Sequence, residues 1–118
     1  MTTDNFERNR RFMAEMLHDG FDSAEKSHKL LFKSDKNLTI SLAYLMEADT
    51  FFTNAKVFYF QKEELYHNDI EELFHQFQVY KKEFMDCVAT DHLHQWTDIE
   101  FRRLKEIFEG LNSLLILN

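Results

Sequence analysis

With 118 residues, 44% of them apolar and 13 of them Phe, the chain is long enough for one hydrophobic core and too short for two, so residues 1–118 read as a single domain. The lack of proline and the presence of only two glycines, Gly20 and Gly110, exclude the many tight turns of an all-β fold. A formal charge of −7, concentrated in residues 41–100 with twelve acids against four bases, disfavours nucleic acid and anionic membrane surfaces as partners.

The first predicted element runs from about Asp4 to Lys33. Phe6, Met13, Met16, Leu17, Phe21, Ala24, His28 and Leu31 recur there at steps of three and four, the spacing of one helix face. Gly20 sits at its centre and costs about 1 kcal/mol relative to Ala in a helix. Asp22 and Glu25 just beyond it have the spacing of a capping box. A kink or break near Gly20 is therefore expected.

After the polar interruption Ser34-Asp35-Lys36-Asn37, a second helix is predicted from about Leu38 to the Tyr66 region. Leu38, Leu42, Leu45, Phe52, Ala55 and Tyr59 make one face, while Ile40, Tyr44, Phe51 and Phe58 make another at a wide angle to it. A helix apolar around most of its circumference is either central in its fold or covered by a partner.

The third element has the strictest pattern, with Tyr66, Ile70, Leu73, Phe77, Tyr80, Phe84 and Cys87 alternating steps of four and three as in a bundle seam. Asn68 followed by Glu71 reads as its capping box. Ala89 to Gln95 breaks the pattern. Thr97-Asp98-Ile99-Glu100 then reads as the capping box of a fourth helix, with Phe101, Leu104, Phe108, Leu111 and Leu115 on its inner face and Trp96 stapling the preceding loop. Helices of about 25 residues span roughly 40 Å each, and short connections force neighbours to run in opposite directions. The expected fold is all-α, an antiparallel up-down four-helix bundle.

The chemistry-bearing residues give few convergent signals. Glu15/His18, Glu25/His28, Glu64/His67, Glu72/His75 and Asp91/His94 each place a carboxylate three residues before an imidazole. Such pairs share a helix face and supply ligands in carboxylate-bridged metal bundles, where Glu47, Glu100 and Glu106 are the candidate bridges. The pairs straddle the apolar faces instead of lying within them, so solvated acid–imidazole pairs explain them better. Cys87, Asp91, His92 and His94 hold the ligand types of zinc without the repeated spacing that marks a zinc motif. A phosphoacceptor role for His28, as in the helical histidine phosphotransfer domains, is disfavoured because Leu31 and Phe32 follow on the next turn. Two glycines leave no loop able to cradle a phosphate through its backbone. No catalytic residue, metal ligand or cofactor is assigned.

Two features point to partners. Phe51, Val57, Phe58 and Phe60 exceed what one face of the second helix can bury, which marks an interface and predicts a homodimer through that helix. Glu63, Glu64, Asp69, Glu71 and Glu72 form an acidic cluster suited to a basic protein. The single cysteine excludes an internal disulfide, the polar start from Met1 to Arg11 lacks the apolar core of a signal peptide, and no run approaches about 18 apolar residues. The chain thus reads as a cytoplasmic, non-catalytic helical protein acting through protein–protein contact, as regulator, adaptor or immunity-like inhibitor. A carboxylate and histidine metal bundle is the alternative.

Overall fold

The computed structural model describes residues 2–31, 38–90 and 95–116. These form helices α1 (Thr2–Leu31), α2 (Leu38–Phe60), α3 (Asn68–Thr90) and α4 (Gln95–Gly110), with a short 3₁₀ turn at Glu63–Leu65. No strand occurs among the described residues. The molecule measures 53 × 22 × 22 Å, as long as its 30-residue first helix with an end turn added and about two helix diameters across.

The periodic positions build one core. Met13, Leu17, Phe21, Ala24 and Leu31 from α1 meet Leu45, Phe52, Ala55 and Tyr59 from α2. Ile70, Leu73, Phe77, Tyr80, Phe84 and Cys87 from α3 join Phe101 and Leu104 from α4, with Leu111 and Leu115 just beyond it. Each fully buried aromatic or aliphatic side chain contributes about 1.5–3 kcal/mol. Ser41 and Ala48 complete the buried face of α2, and their small size lets α1 approach closely.

Contacts between successive helices run in opposite numerical order. Along α2, Ser41 donates to the Ser27 carbonyl at 2.8 Å, Glu47 accepts from Ser23 at 2.7 Å, Phe52 lies against Gly20, and Phe58 meets Phe12 edge-on at 4.9 Å. Between α2 and α3, Asp49 pairs with Lys81 at 3.2 Å, Phe52 packs on Phe77 at 4.5 Å, and Tyr59 donates to Glu71 at 2.7 Å. Gln76 donates to the carbonyl and carboxylate of Glu100 at 3.0 and 2.9 Å, which joins α3 to α4.

Four local expectations are corrected. First, α1 is continuous through Gly20. A Cβ there would sit 3.1 Å from Cε2 of Phe52 and 3.3 Å from Cβ of Phe51, so the glycine serves a close approach between helices and breaks nothing.

Second, α2 stops at Phe60, short of Tyr66. The Tyr66 hydroxyl donates to the Phe60 carbonyl at 3.1 Å, and the Tyr59 hydroxyl accepts the His67 N–H at 2.8 Å, so two tyrosines satisfy the backbone at the corner. Tyr66 itself is exposed.

Third, α3 is capped by His67 in place of the Asn68–Glu71 box. The His67 carbonyl accepts the first helical N–H groups, from Ile70 and Glu71, and its Nδ1 accepts the Asp69 N–H at 3.1 Å.

Fourth, α4 begins at Gln95, ahead of the Thr97–Glu100 box. Thr97 is buried with its hydroxyl 3.4 Å from the Glu83 carbonyl, while the Glu100 carboxylate receives Gln76 and Arg103. Trp96 is exposed, and the loop it is expected to staple lies outside the described residues.

The polar centre and the end of the chain are also tied down. Ser27 donates to the Ala24 carbonyl at 2.6 Å and receives the Tyr80 hydroxyl at 2.8 Å. Burial pushes the Tyr80 hydroxyl well above its ordinary pKa. Buried Arg10 donates to the carbonyls of Leu114 and Ile116 at 2.7 and 2.8 Å while its other nitrogens hold the Glu7 carboxylate. His18 Nε2 donates to the intervening Leu115 carbonyl at 2.8 Å. Two α1 side chains thus fasten three consecutive carbonyls that follow α4.

Candidate functional site

The four aromatic and aliphatic residues singled out on α2 separate into two groups. Phe51 and Phe58 are half-buried on the flank toward α1, where Phe58 packs on Phe12 and Phe51 lies beside Gly20. Val57 and Phe60 point outward and are exposed. They continue a line that includes Thr39, Ala43, Met46, Thr50 and Thr53, all exposed. From Ala43 to Phe60 the line advances by alternating steps of three and four, the spacing of a seam that faces another helix.

Its composition sets this face apart. Of the eleven exposed residues on α2, only Glu47 and Lys56 are charged, and they lie on opposite flanks of the line. Among the described side chains, eight of ten exposed on α1 and six of nine exposed on α4 are charged. On α3 four of ten are charged, so α2 is the least charged of the four helices, and water imposes no reason for it to present threonine, alanine, methionine, valine and phenylalanine outward.

The acidic residues Glu63, Glu64, Asp69, Glu71 and Glu72 are all exposed, at the corner that follows Phe60. Part of this charge has local work. Asp69 and Glu71 stand in the first turn of α3, against its positive end. Glu71 holds Tyr59, whose hydroxyl is pushed up to about 12 by burial, with the neighbouring carboxylate adding to the effect. Glu64 accepts from Asn9 of α1 at 3.3 Å. Glu63 and Glu72 complete the cluster. A cleft of about 230 Å³ lies where the uncharged face meets this corner, lined by Lys56, Phe60, Glu71, Phe74, His75 and Gln78.

No known family model, curated protein or solved structure matches the chain. Its site must be read from its own chemistry.

The histidines are dispersed. His18 holds the Leu115 carbonyl, and His28 stacks on Phe101 at 4.3 Å with Nε2 2.9 Å from the Asp98 carboxylate. His67 caps α3, and His75 lines the α2–α3 cleft. Asp98, and not Glu25, is the carboxylate beside His28. Of the candidate metal bridges, Glu47 receives Ser23 and Glu100 receives Gln76. No group of three or more His, Cys, Asp or Glu able to hold a metal ion forms among the described residues. Asp91, His92 and His94 lie outside the described residues, as does the interruption at 34–37. Among the described residues, no helix is long and apolar enough to cross a membrane.

The sequence pattern alone drew attention to bulk, and therefore to Phe51 and Phe58. It passed over Ala43, Met46, Thr50 and Thr53. The signal that finds them is the run without charge at alternating three and four steps on the side of α2 opposite Leu45, Phe52 and Tyr59.

Proposed function

We propose that this protein is a non-catalytic binding module whose helices form an antiparallel up-down bundle and whose outward α2 face docks another protein. The reversed order of the contacts Ser27–Ser41, Gly20–Phe52 and Phe12–Phe58 supports that arrangement of α1 and α2. The observation that carries the functional reading is the charge distribution: two charges among eleven exposed residues on α2, against eight of ten on α1. An interface core is depleted in charge and rich in aromatic side chains and Met, with a polar rim. Met46, Val57 and Phe60 supply such a core, and Glu47 and Lys56 its rim.

The acidic corner at Glu63, Glu64, Asp69, Glu71 and Glu72 borders the face and favours partners that carry a basic segment next to an apolar helix. Charge of this kind steers encounter and sets specificity more than it adds affinity. A cytoplasmic regulator, adaptor or inhibitor fits these properties, and the buried Cys87 is at home in a reducing compartment.

The test is positional. A photo-crosslinking residue replaces Val57 in one variant and Arg102, exposed on α4, in another, and both are expressed in native cells. The reading expects protein adducts from position 57 and few or none from position 102. Equal yields from both, or none from position 57, contradict it.

A further inference from the structure

We infer that the occupant of the α2 face is a second copy of this chain, docked antiparallel, with the twofold axis passing between positions 51 and 52. This inference rests on the docking reading above and specifies its partner.

The face is complementary to itself in one direction only. Its bulk grows along the helix, from Ala43 at one end to Val57 and Phe60 at the other. When two such helices run in opposite directions, positions whose numbers sum to 103 meet. Phe60 of one copy then covers Ala43 of the other, Met46 faces Val57, and Thr50 faces Thr53. Large meets small at the ends and equals meet in the middle, which fills the space between helices without voids or overlap. A parallel arrangement instead sets Phe60 against Phe60 and leaves Ala43 facing Ala43, crowded at one end and empty at the other.

Charge favours the same register. The chain as a whole carries −7 and repels its copy, but the exposed residues of α2 hold one acid and one base, with half-buried Asp49 a second acid on the flank toward α3. On the flank toward α3, the antiparallel register brings Lys56 of one copy beside Asp49 of the other. Lys81 and Gln78 of the same chain both engage Asp49 through Oδ1. On the flank toward α1, Glu47 meets the uncharged Asn54. Among the residues of α2 no like charges oppose each other along the seam, and the Lys56–Asp49 contacts occur twice by symmetry.

The test is the mass of the full chain by sedimentation, up to tens of micromolar. Wild type should sediment at twice the 14.3 kDa chain mass. Met46→Glu and Val57→Lys, both at exposed positions, should each halve that mass with unchanged helical circular dichroism. Mixing the two variants should restore the doubled mass, because the introduced carboxylate of one chain faces the introduced ammonium of the other only in this register. A wild type of single-chain mass overturns the inference, as does a doubled mass that survives both substitutions or a mixture that stays single. A single-chain wild type that still forms adducts with other proteins through position 57 removes the second copy and leaves the docking face standing. Loss of adducts as well removes both.

Discussion

Replacing each glycine by alanine separates a close helix contact from a helix end. At position 20 the added methyl would lie 3.1 and 3.2 Å from Cε2 and Cδ2 of Phe52 and 3.3 Å from Cβ of Phe51. Neither neighbour can yield easily, since Phe52 is buried and packed on Phe77 at 4.5 Å, and Phe51 meets the methyl through its own Cβ. Overpacking of this kind costs about 1–3 kcal/mol, and the better helix propensity of alanine returns about 1 kcal/mol. Gly20→Ala should therefore lie between neutral and about 2 kcal/mol less stable than wild type. At position 110 nothing stands within 4 Å of the added methyl, so Gly110→Ala should gain up to about 1 kcal/mol. Urea unfolding followed by circular dichroism measures both, with the midpoint falling or holding for the first and rising for the second. Equal stabilisation of the two variants would refute the close approach of α1 to α2 and return Gly20 to the role of a helix breaker.

Three further outcomes are expected. Arg10→Met should lose roughly 2–4 kcal/mol, because the carbonyls of Leu114 and Ile116 keep no donor in its place, and amide exchange in residues 111–116 should accelerate more than elsewhere. Tyr80→Phe should cost about 1 kcal/mol, the net worth of one buried hydrogen bond, and Ser27→Ala should add little in the Tyr80→Phe background, as a double-mutant cycle would show. Stability should fall as pH rises from 10 toward 12. Tyr59 keeps its proton up to about 12 when folded against an ordinary value of 10.0, so its contribution is complete below pH 10 and declines above it. Tyr80, shifted in the same direction, steepens the decline, each tyrosine adding up to about 1.4 kcal/mol per pH unit. Unfolding free energies across that range should show the slope, and Tyr59→Phe should reduce it.

The helices were legible in the sequence wherever one face repeats strictly. Ile70, Leu73, Phe77, Tyr80, Phe84 and Cys87 are all buried because each step of three or four returns to the same side. Local signals failed where a residue from a distant segment took over the group they depended on. Thr97 and Glu100 have the spacing of a cap, but Glu83 and Gln76 claim them. Gly20 weakens a helix by propensity, but the ring that requires it belongs to Phe52, thirty-two positions away. The outward face of α2 was half visible. Val57 and Phe60 stand out by their hydrophobicity, whereas Thr50, Thr53 and Ala43 mean nothing until the structure shows that they share the exposed side of α2.

The most direct measurement of whether that side is covered uses two methionines of matched exposure. Met46 on the α2 face is 46% exposed and Met85 on α3 is 42% exposed, so oxidative footprinting of the dilute, unassociated chain should modify both at similar rates. At high concentration or inside native cells, Met46 should become several-fold slower to oxidise while Met85 is unchanged. Equal rates for the two under all conditions would show that the α2 face stays open to water and would contradict its role in docking.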